Sequence, residues 1–333
     1  MSRCVRGSVS DQGRWRPWTA RFPVLILAIA AGVSAEPRSF LYHEINVAST
    51  YDDDGISLHR DMPRTSVGFE YFQKYDAGPP GRLTADALDL YAQLAHSPGR
   101  RLQARVEEVW LRFADPGADT EVRLGRFPVP FGLSPTLNLR GDPLLPLLEL
   151  DLGALHEWGV AVESHARGFV YEAATTWPLL STGRRPGRRV LVSGRVGVPT
   201  FRDVRYSLSG LYGTVATPGA GHVSAWRLAT DAVYLYHEPF TALRGEASFG
   251  ADGQRTVWGL LAGLSQILPD QPRWQLLAQA RRWRSAVPGD GALTEVTAGF
   301  GRALPYLMIL RCLWQERSPG GRRLLVQLHY YAP

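Results

Sequence analysis

Cysteine is nearly absent from this 333-residue chain: Cys4 and Cys312 are the only two. With Cys4 inside the leader described below, one thiol remains, and a disulfide-stapled secreted domain is excluded. No cysteine stands directly after the expected cleavage point, where Glu36 follows Ala35, which argues against a lipid-anchored form. Lysine is scarcer still, Lys74 standing alone against 36 arginines. After the leader no apolar run approaches the roughly 20 residues that a membrane-spanning helix needs. If the remainder sits in a bilayer, it spans as a closed barrel, because only helices and closed barrels satisfy every backbone group in lipid. Enzyme signatures are missing as well. There is no Gly-x-Ser-x-Gly elbow and no Cys-x-x-Cys-His, and Lys74 lies in no phosphate loop. The pairs His43-Glu44, His156-Glu157 and His237-Glu238 never continue to a second histidine four residues on, so zinc-protease chemistry is unsupported and polar strand ends explain them. No catalytic residue, cofactor or metal centre is expected.

What is present begins with a leader. Arg3, Arg6, Arg14, Arg16 and Arg21 precede the apolar run 22–31, and Gly32-Val33-Ser34-Ala35 supplies small residues where a signal peptidase cuts. Residues 1–35 are therefore expected to be a cleaved signal peptide, with an uncleaved anchor as the alternative. The leader holds five of the 37 basic and one of the 31 acidic side chains, which leaves 32 against 30. The basic character belongs to the leader and gives no reason to expect nucleic acid as a partner.

The rest, 36–333, reads as strands. Segments of roughly 9 to 14 residues alternate apolar with polar or small side chains, as membrane strands do. Gly/Pro/Asp clusters separate them, the clearest at 76–81, 115–119 and 269–272. Sixteen strands are expected: 39–50, 64–75, 83–96, 101–114, 120–128, 155–165, 168–178, 188–198, 204–216, 223–237, 240–250, 255–268, 273–284, 292–302, 305–316 and 322–331. In 240–250, Leu243, Ala247 and Phe249 oppose Arg244, Glu246 and Ser248; in 305–316, Met308, Leu310, Cys312 and Trp314 oppose Arg311 and Gln315. The fold class is all-β, a single antiparallel transmembrane barrel of about sixteen strands in the outer membrane, touching its lipid. A secreted two-sheet sandwich would also alternate. It would need a second sheet's worth of apolar residues, and aromatics near strand ends such as Trp177, Tyr212, Trp258 and Trp274 suit membrane girdles better.

Several stretches resemble a known family. Glu121-Val122-Arg123-Leu124-Gly125-Arg126-Phe127-Pro128-Val129-Pro130-Phe131-Gly132-Leu133 looks like the strand, Gly-basic-Phe, Pro-Phe-Gly passage of phosphate-selective porins of the O and P type. Glu157-Trp158-Gly159-Val160-Ala161-Val162-Glu163-Ser164 and Phe169-Val170-Tyr171-Glu172-Ala173-Ala174 resemble that family's next hairpin, and Leu243-Arg244-Gly245-Glu246-Ala247 a later one. The resemblance implies a sixteen-stranded channel for small solutes or ions, often a homotrimer. A lysine-rich anion ladder is absent, so phosphate selectivity does not carry over.

The longest connection, 129–154, is the third outward loop, the position at which general porins fold a loop into the lumen. Its apolar 144–150 suits packing on an inner wall, although a loop against lipid or a subunit fits equally. Alternation places Glu70, Asp89, Arg123, Glu163, Glu172, Arg227, Asp231, Arg244, Glu246, Arg281, Glu295 and Arg311 towards the lumen. Arg123, Glu163, Glu172, Arg227, Asp231, Arg244, Glu246, Arg281 and Arg311 are the expected pore-lining set. Acids and arginines nearly balance, which points to passive, weakly charge-selective diffusion of small hydrophilic solutes. The alternatives are a structural barrel around a separate partner protein and an outer-membrane enzyme. Asp52, Asp53, Asp54 and Asp61 could gather a hard cation but lack calcium-loop spacing, and a solvated loop explains them.

Overall fold

A computed structural model describes residues 38–52, 55–58, 65–76, 78–97, 101–136, 144, 146–148, 156–177, 190–217, 221–284 and 291–333. The expected signal peptide, 1–35, lies outside the described residues, as do Asp53, Asp54 and Asp61. The strands are β1 (Arg38–Asp52), β2 (Gly55–Leu58), β3 (Ser66–Lys74), β4 (Thr84–Ser97), β5 (Arg101–Asp115), β6 (Thr120–Pro128), β7 (His156–Ala166), β8 (Phe169–Trp177) and β9 (Leu191–Gly197). They continue as β10 (Val204–Thr217), β11 (Gly221–His237), β12 (Phe240–Asp252), β13 (Arg255–Leu268), β14 (Gln271–Arg284), β15 (Leu293–Leu304), β16 (Met308–Ser318) and β17 (Gly321–Ala332).

The sheet closes on itself. From β3 onward each strand pairs antiparallel with the next, and β17 returns to β1 with His43 opposite Ala332 and Tyr51 opposite Leu324. On its other side β1 pairs with β3 over Arg38–Asn46 and with the short β2 over Ser49–Asp52. Thus β2 and β3 together fill one position, and sixteen long strands make an all-β closed barrel. Closure removes the free edges that an open sheet would expose.

Alternation sets the two faces. Along β1, Glu44, Asn46, Ala48 and Thr50 are buried, while Ile45 and Val47 stay 44 % and 42 % exposed. A face that is apolar yet uncovered, with polar residues turned inward, inverts a water-soluble protein. Val67, Leu228, Leu243, Leu260, Val296 and Val326 extend this belt around the sheet. Aromatics gather near its rims: Trp226 packs edge-on against Phe249 at one end, and Trp274 sits 5.5 Å from Phe300 at the other.

The two ends differ in their connections. At one end Arg167 and Gly168, both with positive φ, join β7 to β8 in a two-residue turn whose twist matches the strands. The connection from β13 to β14 is tighter than the expected 269–272. Only Pro269 and Asp270 lie in the turn, and a register shift at Ile267/Leu268 precedes Pro272, a residue that cannot donate to a ladder. The opposite end carries the connections 129–155 and 178–190. The first leaves β6, makes a 3-10 turn at Ser134–Thr136 and runs back against the inward faces of distant strands. Val129, Phe131 and Leu148 pack with Leu191, Leu211, Ala225 and Ala229. Leu133 and Leu147 pack with Val233 and Leu261, and Leu144 with Ala48, Leu277, Leu313 and Leu325.

Candidate functional site

The inner wall of β4–β11 is a continuous network of guanidinium and carboxylate groups. Arg112 on β5 binds Asp86 in two-pronged fashion, Nε at 2.9 Å and Nη2 at 2.6 Å, and reaches Glu121 on β6 at 3.1 Å. Arg123 stands 3.6 Å from Glu163 on β7 and lies over the Trp110 ring at 5.3 Å. Arg195 on β9 bridges Glu172 at 3.2 Å and Asp231 at 3.6 Å, with Ser207 accepting its Nε–H at 3.0 Å. The cause is register. Glu121 faces Glu163, Glu163 faces Glu172 and Glu172 faces Arg195 on successive strands. The two-residue period turns them all to the same side.

The long-loop end carries a second group. Arg281 on β14 pairs with Glu295 on β15, which also holds Arg317 on β16 at 3.2 Å, and both arginines lie within 6 Å of the Trp283 ring centre, at 5.8 and 5.4 Å. Arg227 is 1 % exposed, 2.7 Å from Asp252 and bonded to the Trp226 and Ala251 carbonyls. That geometry rigidifies the wall and offers little to a passing solute. On the closure seam His329 meets Glu44 at 3.0 Å, Tyr91 donates to the same carboxylate, and Gln93 reaches it at 3.1 Å. Gly68 separates Glu44 from Gln93 in the register, and the lack of a side chain there leaves the gap they bridge.

The inserted segment is fastened at both ends of its described part. Gly132 donates its N–H to Ser209 Oγ at 3.0 Å, and Leu147 donates its N–H to Glu246 Oε2 at 3.3 Å. Gly132 has φ of 54°, and a Cβ there would overlap the Glu246 carboxylate, so glycine is required twice over. Between this segment and β6–β9 lies a cavity of about 230 Å³ lined by Arg123, Glu163, Glu172, Arg195, Pro130 and Pro135 among others.

All nine residues of the expected pore-lining set turn to the face that carries the segment's contacts. Arg123, Glu163 and Glu172 border the cavity, with Asp231 held beside them through Arg195. Arg281 belongs to the Glu295 cluster, Arg311 bonds Gln327 at 2.9 Å, Glu246 holds the segment and Arg227 is sealed in its Asp252 pair. Arg244 shares the inward side of β12 with Glu246. The sequence reading leaves Arg112, Glu121, Arg195 and His329 out of the inward set and takes Glu44 only as a polar strand end. Arg195 was open to discovery, since Leu191, Ser193, Arg195 and Gly197 alternate with Val192, Gly194 and Val196. Among the described residues no group of three or more His, Cys, Asp or Glu side chains is arranged to hold a metal ion.

Likenesses to solved structures bear on the fold. An anion-selective porin from Comamonas acidovorans superposes with a TM-score of 0.64 at 14 % identity, over 89 % of this chain and 100 % of that one. The barrel is porin-like. OmpF of Salmonella typhi, solved with daunomycin, gives 0.64 at 10 % identity over 88 % and 97 %. OmpT of Vibrio cholerae, an outer-membrane protein in a trimer form, gives 0.62 at 12 % over 89 % and 99 %. No protein-family model matches the chain. No curated protein matches it by sequence either. The chain thus has the architecture of outer-membrane porins, and the O and P type is not singled out from the others.

Proposed function

We propose that this porin-like barrel is a passive outer-membrane channel for small hydrophilic solutes, with weak charge selection and no catalytic role. The observation that carries the reading is the inversion of polarity: an uncovered apolar belt outside, and inside a wall of paired arginines and carboxylates. Such a wall holds water and biases permeating ions without trapping them. The short-turn end faces the periplasm and the long-loop end the exterior, by the asymmetry that bacterial barrels share. The segment within 129–154 narrows the path, and Arg123, Arg244 and Glu246 shape what passes. Assembly as a homotrimer is part of the proposal, supported by the trimer form of the Vibrio OmpT.

Leu144 reaches residues of β1, β14, β16 and β17, on the far side of the barrel from β6 and β7. That reach favours a second reading, a lumen closed by the segment in a structural barrel. Planar-bilayer conductance of the refolded, heat-modifiable protein, with reversal potential in a salt gradient, separates the two. Stepwise openings with a reversal potential near zero support the channel. Silence from protein shown to be folded removes it and leaves the structural barrel.

A further inference from the structure

The cavity at the short-turn end has a composition that a mere passage does not need. Glu121, Glu163 and Glu172 oppose one another directly on β6, β7 and β8. Like charges in direct cross-strand opposition destabilise a sheet. Neighbouring arginines compensate them incompletely, for Arg112 and Arg195 are shared with Asp86 and Asp231. Five carboxylates thus stand against three guanidinium groups, with His165 beside Glu163 at 3.0 Å.

Arg123 is used differently from the other two. It approaches Glu163 only to 3.6 Å, beyond hydrogen-bond length, and its Nε has no hydrogen-bond partner among the described residues. Trp110 covers one face of its guanidinium, and the side chain, 24 % exposed, still lines the cavity, where a planar acceptor can meet it. Apart from Thr200 the remaining boundary is apolar, Phe127, Pro130, Pro135 and Phe201 among it. A volume of about 230 Å³ suits a solute of a few to a dozen heavy atoms.

We propose that this cavity is a binding station for amine-bearing zwitterions, α-amino acids with a basic side chain before others. The ammonium groups lie along the glutamate row, the carboxylate meets the Arg123 guanidinium, and the methylene body lies on the proline and phenylalanine wall. The proposal rests on the channel reading, since a solute reaches the station through the lumen.

The test uses the refolded full chain in detergent, titrated calorimetrically with L-lysine, cadaverine, L-glutamate and glucose, and the same solutes as blockers of current in a bilayer. L-lysine is expected to bind and to reduce the current in proportion to its occupancy, and glucose to do neither. Glu163→Gln and Glu172→Gln together weaken L-lysine at least tenfold. Arg123→Gln weakens L-lysine but leaves cadaverine, which has no carboxylate, as it was; that selective loss is a readout a structural role would not produce. Heat-modifiability checks the fold of every variant, and the wild-type ranking of the four solutes needs no variant. Equal behaviour of L-lysine and glucose on the wild-type protein overturns the proposal, as does wild-type lysine affinity in the folded variants. Calorimetric binding of L-lysine without any conductance would sink the channel reading while still supporting the site.

Discussion

Glu246 on β12 accepts the backbone N–H of Leu147 at 3.3 Å, and so ties the inserted segment to the wall opposite its origin. The carboxylate is buried, and Gly132 of the same segment lies against it. A single intramolecular hydrogen bond contributes about 0.5–1.5 kcal/mol net. Replacing Glu246 by Ala is expected to weaken local docking by about that much. The segment then opens roughly two- to tenfold more often, seen as faster limited proteolysis between Val129 and Leu148 and as a larger single-channel conductance. Unchanged cleavage and conductance would show that the apolar contacts alone hold it.

The strands were legible because a membrane strand displays its two faces every second residue. Leu243 against Arg244, and Leu310 against Arg311, place the wall without reference to any partner. The same property limits the reading. Alternation says that Arg227 turns inward, but not that Asp252 waits across the β11–β12 pairing to neutralise it. That depends on register, which one strand's pattern does not contain. β2 escaped notice because Gly55–Leu58 has no strand pattern of its own and exists by pairing with Ser49–Asp52. The apolar composition of 144–150 suited several fates equally, and only contacts such as Leu144 with Leu313 distinguish them.

Arg195 has a side chain 4 % exposed and serves Glu172, Asp231 and Ser207 at once. Truncating one partner of a buried ion pair leaves the others uncompensated, at a cost on the order of 3 kcal/mol. Arg195→Gln is expected to lower the urea midpoint of unfolding in micelles accordingly. Adding Glu172→Gln restores part of the loss, because the orphaned charge is then gone. A double variant that falls by the full sum of the two single losses would mean the groups act independently.

The seam between β1 and β17 is the last pairing that the chain can make, and Glu44 is its densest polar contact, joined to His329, Tyr91 and Gln93. Glu44→Ala leaves three polar partners unsatisfied at roughly 1–3 kcal/mol each before water enters. Local opening is therefore expected to concentrate there. Hydrogen exchange at the backbone amides of Ile45, Val47 and Leu328 should accelerate at least tenfold while β12 and β13 keep their protection. Uniform acceleration across the sheet would mean that closure and the rest of the barrel unfold as one unit.

Leu228 lies near the middle of β11, outward and 55 % exposed, in the apolar belt between the aromatic rims. If lipid covers that belt, Leu228→Arg places a charge in the hydrocarbon one outward position inside the Trp226 rim, at a cost between the roughly 0–1 kcal/mol of the interface and the roughly 2–4 kcal/mol of the midplane in barrels of this kind. In water the same substitution adds a solvated charge to an exposed position and stays within about 0.5 kcal/mol. The variant is expected to fold into lipid vesicles with a lower unfolding midpoint than the wild type, and the penalty should shrink when Arg is moved to Tyr236, at the rim of the same face. An equally stable Leu228→Arg barrel in vesicles would mean that another surface, and not lipid, meets the belt at this point.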